Sequence, residues 1–285
     1  MQICRSISDV RAAVRAMRQK GQTIGLVPTM GALHAGHMAL VAAAKADNDA
    51  VIATIFVNPT QFGNPEDLLK YPRTEEADLA LLEAAGVSAV FLPGVEDMYP
   101  DGAETIVETT KLANMLHGLV RPGHYRGVCT VVTKLFNIAT ADNAYFGEKD
   151  YQQLQVIRRM AMDLNVPTAV HGVPTVRETD GLAMSSRNVR LNAADRAAAV
   201  VLNAALTQAE RAAASGASIE QIAAEIRAII TAEPRARLVA IDIVQALTLA
   251  PVSGHPGGTI GIMISAEFGP ADNTVLLIDQ REITL

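Results

Sequence analysis

Cysteine is nearly absent from this chain. Two occur in 285 residues, Cys4 and Cys129, far apart and in no metal-ligand spacing. That argues against a cysteine metal site and fits a reducing compartment. Positive charge is also short: 24 Lys+Arg against 30 Asp+Glu leave a formal net charge of −6. A broad nucleic-acid surface needs a basic footprint, so nucleic acid is not an expected partner. No apolar run reaches the roughly 18 uncharged residues of a membrane span. The opening run Met1-Gln2-Ile3-Cys4-Arg5 lacks a charged-then-apolar leader. Internal repeats and low-complexity linkers are missing too. These absences lead to the expectation of a cytoplasmic protein without membrane or nucleic-acid contacts. What is present is core material. The residues are 49% hydrophobic, and the length suits one large or two medium domains of about 100–200 residues each.

The chain is organised around Gly25-Leu26-Val27-Pro28-Thr29-Met30-Gly31-Ala32-Leu33-His34-Ala35-Gly36-His37. An apolar strand ends at Pro28, a small-residue loop follows, and two histidines three apart open an Ala-rich helix over 38–46. Residues so spaced at a helix start share a face. The helix N-terminus offers N–H groups and partial positive charge to an anion. Gly31 and Gly36 admit a ligand close to backbone. In an α/β sheet such an opening is where nucleotides dock. Taken alone, His-x-x-His also reads as two ordinary histidines at a helix start. It is not a zinc helix, which has a spacing of four with Glu between.

The rest alternates. A helix is expected over 9–20, capped by Ser8 or Asp9 and ended by Gly21, with Val10, Val14 and Met17 inward. Strands are expected over 23–28, 50–57, 89–92, 144–146 and 168–174, and helices over 74–85, with Leu79 and Leu82 inward, 128–139 and 151–164. Strand–helix alternation means a parallel sheet with crossovers. The polar residues gather after strands. Asn58 and Gln61 follow the second strand, where each can donate and accept. Arg121-Pro122-Gly123-His124-Tyr125-Arg126-Gly127 reads as a loop, and its arginine forks suit carboxylate or phosphate. Gly147-Glu148-Lys149-Asp150-Tyr151-Gln152-Gln153 opens a helix, with Lys149 a point charge for phosphate, Asp150 a cap and Gln153 one turn on. The stretch 177–188 breaks the alternation and reads as a mobile linker able to close on phosphates, or as a hinge with no ligand. Beyond it, helices over 192–214 and 219–232 and strands over 240–244, 259–264 and 275–278 make a smaller α+β region.

Six runs occur together: 28–37, Val57-Asn58-Pro59-Thr60-Gln61-Phe62, Tyr71-Pro72-Arg73, 121–127, 146–153 and Gly181-Leu182-Ala183-Met184-Ser185-Ser186-Arg187-Asn188. In order and approximate spacing they resemble the pantoate–β-alanine ligase (pantothenate synthetase) family, from about residue 23 to 188. His34-Ala35-Gly36-His37 looks like the His-Ile-Gly-His signature shared with class I aminoacyl-tRNA synthetases. Met184-Ser185-Ser186-Arg187 looks like the partner Lys-Met-Ser-Lys-Ser loop. The final region resembles the family less closely, with Leu276-Leu277-Ile278-Asp279-Gln280 where the family tends to have Arg-Leu-Ile-Asp-Asn.

The resemblance implies an α/β fold: a Rossmann-like parallel-sheet ATP- and pantoate-binding domain over 1–176 and a smaller C-terminal α+β lid domain over 177–285. It implies a ligase that joins pantoate to β-alanine through a pantoyl adenylate, using ATP with Mg²⁺ and releasing AMP and pyrophosphate. The implied catalytic residues are His34, His37, Lys149, Ser185, Ser186 and Arg187, with His37 the candidate proton donor. Implied ATP contacts are Met30, His37, Gly147, Glu148, Lys149, Asp150, Val176, Met184, Ser185, Ser186 and Arg187. Gln61, Gln153, Asn58 and Arg121 are the implied pantoate and β-alanine residues. No Mg²⁺ ligand is assigned, and Asp150 is equally explained as a cap. Cys129 is read as core. A homodimer is implied by analogy. Two other readings stay open: a different adenylyltransferase with the same two-histidine signature, and a nucleotide-binding module without catalysis.

Overall fold

The computed structural model describes residues 1–255, 257–271 and 273–285. A strand Gln2–Cys4 (β1) precedes the helix Ile7–Gln19 (α1). The Ser6 hydroxyl accepts from the Asp9 N–H while the Asp9 carboxylate accepts from the Ser6 N–H. This reciprocal cap starts the helix earlier than Ser8 or Asp9 suggested. Val10, Ala13, Val14 and Met17 form its buried stripe.

The first compact unit, Met1–Gly147 with Gln152–Val173, holds a six-stranded sheet. Its further strands are Ile24–Thr29 (β2), Ala50–Ile55 (β3), Ala89–Phe91 (β4), Asn143–Gly147 (β5) and Ala169–Val173 (β6). All pairings are parallel and the order is β1-β4-β3-β2-β5-β6. The helices Ala35–Asp47 (α2), Glu75–Ala84 (α3), His124–Ala139 (α4) and Tyr151–Asp163 (α5) lie between successive strands. This is the Rossmann-like arrangement that the alternation predicts. The central strands carry the core because they are largely apolar: Ile24, Leu26, Val27, Ile52 and Ala53 are fully buried. The chain steps from β2 to β3 and β4, then returns to pair β5 on the other edge of β2. The carboxyl ends of β2 and β5 therefore flank the reversal of strand order, where open α/β sheets take their ligands.

The sequence placed 121–127 in a loop and began the helix at 128. In the structure α4 begins at His124, directly after Gly123 at φ 80°. The added turn was hidden because it carries Gly127, a poor helix former in isolation.

The second unit comprises Glu148–Tyr151 and Pro174–Leu285. Its helices are Ala193–Ala198 (α6), Val201–Ala214 (α7) and Ile219–Ala232 (α8), and Arg237–Gln245 (β7), Thr259–Phe268 (β8) and Val275–Thr284 (β9) form an antiparallel sheet in that order. Ile219, Ile222, Ile226 and Ile230 recur at helical spacing on α8, and they join Leu202, Leu206, Ile262 and Phe268 in one core. The single helix expected over 192–214 is interrupted at Ala199 and Val200, where Leu202 N–H bonds Ala199 O. The break expected after residue 176 falls after Val173, and 148–151 go with the second unit. The reason is Tyr151. Its hydroxyl donates to Glu282 Oε2 at 2.6 Å and lies 3.2 Å from Ala246 O, with its ring over Gly261.

Candidate active site

The loop after β2 is shaped by a buried acid. Gly31 and Ala32 both have left-handed backbone, at φ 83° and 50°. That conformation turns the N–H groups of Ala32 and Leu33 onto the two oxygens of Asp78, at 2.9 and 2.8 Å. Thr74 Oγ1 adds a third bond to Asp78. Asp78 is 2% exposed. Burying a carboxylate without partners is expensive, so its three donors and the loop geometry depend on each other. Gly31 is required here: a Cβ would stand 3.0 Å from Asp78 Oδ2 and 3.1 Å from Ile55 Cγ2. The sequence reading put Leu79 on the inward face of this helix and passed over Asp78. The structure buries Asp78 with Leu82, one turn apart, and leaves Leu79 only partly buried.

The loop delivers the chain to His34, which caps α2. His34 Nδ1 accepts from the Gly36 N–H at 3.1 Å, and His37 Nδ1 accepts from the His34 N–H at 3.3 Å. The rings lie 4.2 Å apart between centroids. A backbone N–H can only donate, so each Nδ1 is an acceptor and each ring carries its proton on Nε2. Two imidazoles are thereby fixed as Nε2–H donors at a helix N-terminus, where partial positive charge already favours an anion.

A polar cluster follows β3. Asn58, 1% exposed, donates through Nδ2 to Gln61 Oε1 at 2.9 Å and to Gly127 O at 3.2 Å. Its Oδ1 accepts from Thr60 Oγ1 and from the Tyr99 hydroxyl. Gln61 Nε2 points to Met30 Sδ at 3.3 Å, so the structure brings these two candidates together. Asn58 is different: both ends of its amide are engaged within the protein, and it reaches the pocket through Gln61. His124 Nδ1 lies 2.9 Å from Gln61 O, and Arg121 lies 3.4 Å from His124 Nε2. A cleft of about 310 Å³ opens beside this turn, lined by Phe62, Asn64, Asp67, Val120, Arg121 and His124 among others. Gln153 is half-buried on α5. Its neighbour Gln152 is buried and spans Leu112 O, Met115 O and the His117 N–H, which fixes the segment before Arg121.

The remaining candidates belong to the second unit, apart from Gly147, which ends β5. Lys149 Nζ stands 4.0 Å from Asp150 Oδ2, beside the partly buried Glu148. The stretch 177–188 is not the loose linker its composition suggested. Arg177 bridges to Ala183, Glu178 N–H bonds Leu182 O, and Met184 N–H bonds Val176 O at 2.9 Å. This hairpin is pinned by Arg177 to Asp279 at 2.7 and 2.9 Å and by Arg196 to Glu178 and Asp180. It presents Ser185, Ser186 and Arg187 as a turn, with the Arg187 N–H on Ser185 Oγ. Among the described residues no cluster of three His, Cys, Asp or Glu side chains is placed to hold a metal ion.

The pin has a pH dependence. Arg196 and then Asn188 hold the Glu178 carboxyl below its usual range, and Arg196 does the same for Asp180. A depressed carboxyl stabilises the fold above its unfolded value, about 3.9–4.3, and that contribution is lost as pH falls through the folded value. Both groups are partly solvated, so the effect is local. Amide protection across 178–188, corrected for intrinsic exchange, is therefore expected to be flat from pH 7 to 5 and to fall below pH 4. Protection unchanged down to the global acid transition would contradict this.

A family model described as pantoate-beta-alanine ligase matches residues 2–282. The chain belongs to the pantoate–β-alanine ligase family. Curated relatives agree along their lengths. The chain is 50% identical over 284 residues to the pantothenate synthetase of Rhizobium meliloti, covering 99% of this chain and 96% of that protein. It is 48% identical to that of Koribacter versatilis over 97% and 96%. The crystal structure of pantothenate synthetase from Thermus thermophilus superposes with a TM-score of 0.91 at 44% identity, covering 99% of both chains. A pantoate-beta-alanine ligase from Francisella tularensis, complexed with beta-gamma ATP and beta-alanine, superposes at 0.79 with 36% identity over 99% and 97%. Pantoate–β-alanine ligases are enzymes, and this chain has the family's fold throughout. Within that frame Asp78 and Tyr99 are the supporting residues that sequence reasoning missed. A polar residue one turn before an inward Leu was the available signal for Asp78.

Proposed function

We propose that this chain condenses pantoate with β-alanine, using ATP, to give pantothenate, AMP and pyrophosphate. The observation that carries the reading is the His34/His37 pair, whose backbone bonds fix two Nε2–H donors at the helix start beside the strand-order reversal. Family membership supplies the substrates.

On this reading pantoate's carboxylate oxygen attacks the α-phosphorus of ATP, and the bond to pyrophosphate breaks. A carboxylate is a poor acyl donor until it is so activated. The deprotonated amine of β-alanine then attacks the acyl carbon of pantoyl adenylate, AMP leaves with its oxygen, and the nitrogen gives up one proton to solvent as the amide forms. His34 and His37 donate to phosphate oxygens as charge develops, and the Nε2–H of His37 is the candidate proton source for the leaving pyrophosphate. Lys149, Ser185, Ser186 and Arg187 are the remaining proposed donors to the charge that develops on the phosphate oxygens. Met30, Gly147, Glu148, Asp150, Val176 and Met184 complete the nucleotide site. Gln61 and Gln153 hold pantoate, and Arg121, beside His124, takes the β-alanine carboxylate. The second unit serves as the lid that carries Lys149 and 184–187. Mg²⁺ would be held mainly by the phosphate oxygens of ATP and by water. Asp150, an exposed carboxylate beside Lys149, is a hard oxygen donor of suitable chemistry, and the ion would neutralise the leaving pyrophosphate. Two buried free cysteines suit the cytoplasm. A homodimer is the proposed assembly, with a solution mass about twice the 30.2 kDa chain, and sedimentation checks it.

The deciding assay is pyrophosphate release from ATP and Mg²⁺, with pantoate and with or without β-alanine. Pantoate-dependent release, with continued turnover to pantothenate and AMP only when β-alanine is added, is expected. No release with pantoate, while ATP binds, would overturn the reading in favour of another adenylyl acceptor.

A further inference from the structure

Gln61 has two orientations with the same shape and opposite polarity, and the backbone around Asn58 chooses between them. The Thr60 N–H, which can only donate, points at Asn58 Oδ1, and the Gly127 carbonyl, which can only accept, lies 3.2 Å from Asn58 Nδ2. These two groups fix the Asn58 amide. Its Nδ2 then also meets Gln61, so the Gln61 atom facing it must be Oε1, and Gln61 Nε2 is turned toward Met30. The Tyr99 hydroxyl closes the chain, donating to Asn58 Oδ1 at 2.8 Å and lying 3.2 Å from Thr60 Oγ1. Tyr99 is itself held. Its ring lies 6.3 Å from that of Phe56, and Lys134 Nζ sits 5.7 Å from its centroid.

We infer that Tyr99 is a positioning residue: the backbone sets the polarity of the Asn58 amide, and the Tyr99 hydroxyl holds Asn58 in the place from which it fixes the Gln61 amide with its NH₂ group toward the substrate. The site accordingly takes a hydrogen-bond acceptor, a carboxylate or hydroxyl oxygen, at that point and rejects a donor such as an ammonium. A hydroxy acid is selected over its amino analogue by a residue that does not touch it. This rests on the ligase reading for the identity of the substrate, while the amide orientation stands without it.

Two variants test the inference. Tyr99→Phe keeps the packed ring and removes one donor from Asn58. Pantoate KM is expected to rise on the order of fivefold, as for one net hydrogen bond, with ATP KM and melting temperature unchanged. Asn58→Asp replaces the amide NH₂ by an acceptor, so Gln61 must turn its own NH₂ toward residue 58 and show Oε1 to the substrate. Pantoate kcat/KM then falls on the order of 10²-fold, because a polar group in the site is mismatched. An analogue with an amino group in place of a pantoate hydroxyl loses less, so the preference between the two narrows. Side-chain amide resonances of Gln61 in ¹⁵N-labelled protein, assigned with Gln61→Glu, shift in Tyr99→Phe whether or not the chain turns over pantoate. If wild type shows no pantoate-dependent turnover, the ligase reading fails and these resonances still decide the positioning. Unmoved Gln61 resonances, an unchanged pantoate KM, or equal rises in pantoate and ATP KM in Tyr99→Phe would overturn the inference. So would an unchanged substrate preference in a folded Asn58→Asp protein. If that variant does not fold, Tyr99→Phe carries the test alone.

Discussion

Replacing His37 by alanine is expected to slow pantoate-dependent pyrophosphate release by about 10²–10³-fold, the loss of one preorganised donor, equivalent to about 2.7–4 kcal/mol of barrier. The expectation follows from where each ring nitrogen is used. Nδ1 of both histidines is committed to a backbone N–H at the start of α2, so Nε2–H is the chemical end. A purely structural role predicts something else. Loss of a helix cap removes about 1 kcal/mol of stability and leaves the chemical step nearly unchanged. His34 separates the two. His34→Asn keeps a side-chain acceptor at the cap position, where asparagine is among the preferred residues, and removes the imidazole donor. It should melt with wild type and still lose about 10²-fold in release. His34→Ala should lose both. If His34→Asn retained wild-type release, or if release in His37→Ala recovered when the protein was stabilised by excess ATP, the pair would be a cap and nothing more. Single-turnover pyrophosphate release with melting curves on the same samples reads both quantities.

Much of this architecture was legible because the central strands are largely apolar and the helices punctuated. Ile24, Leu26 and Val27 announce a strand buried on both faces, and Gly21 and Gly86 mark helix ends. The site was legible as a set of polar runs after strands. His34, His37, Gln61 and Lys149 stood out as candidates through the resemblance that six such runs carry together, since each run alone also reads as an ordinary cap or turn. What escaped was the layer behind them. Asp78 is local in sequence to nothing it serves: its partners Ala32 and Leu33 lie 46 and 45 residues away. Tyr99 sits in a Tyr-Pro-Asp-Gly turn that reads as punctuation, and its bond to Asn58 spans 41 residues. Hydrogen bonds over such separations leave no periodicity to detect. The three-residue β1 is too short to show a pattern. The hairpin over 177–188 failed for a related reason. Its composition is that of a loop, and what orders it is a guanidinium from α6, 16 and 18 residues from its partners, and the buried Asp279, 102 residues from Arg177.

Gly127→Ala should damage pantoate use far more than so small a change suggests. The first turn of α4 lies against the turn that carries Gln61. A Cβ on residue 127 would stand 2.5 Å from Thr60 O, 2.6 Å from Thr60 C and 2.7 Å from Gln61 N. Those atoms are backbone, so no rotamer change relieves the clash, and either α4 or 59–61 must move. Overpacking of this kind costs about 1–3 kcal/mol, which appears as a fall of several degrees in melting temperature. The larger consequence is chemical. Moving 59–61 pulls Gln61 Oε1 away from Asn58 and separates Gly127 O from Asn58 Nδ2, and it also strains the contact between His124 and Gln61 O. A displacement of about 1 Å in a substrate-positioning group is enough for a 10²-fold loss. Pantoate kcat/KM is therefore expected to drop by about that factor, while ATP binding in the absence of pantoate stays near wild type, because the α2 start and the Asp78 bonds to Ala32 and Leu33 involve none of these atoms and Met30 meets Gln61 only through its flexible side chain. Calorimetric titration of ATP alongside steady-state kinetics in pantoate distinguishes the outcomes. Equal losses of both ligands would mean that the substitution loosens the unit as a whole. A wild-type pantoate KM would mean that Gln61 is held independently of α4.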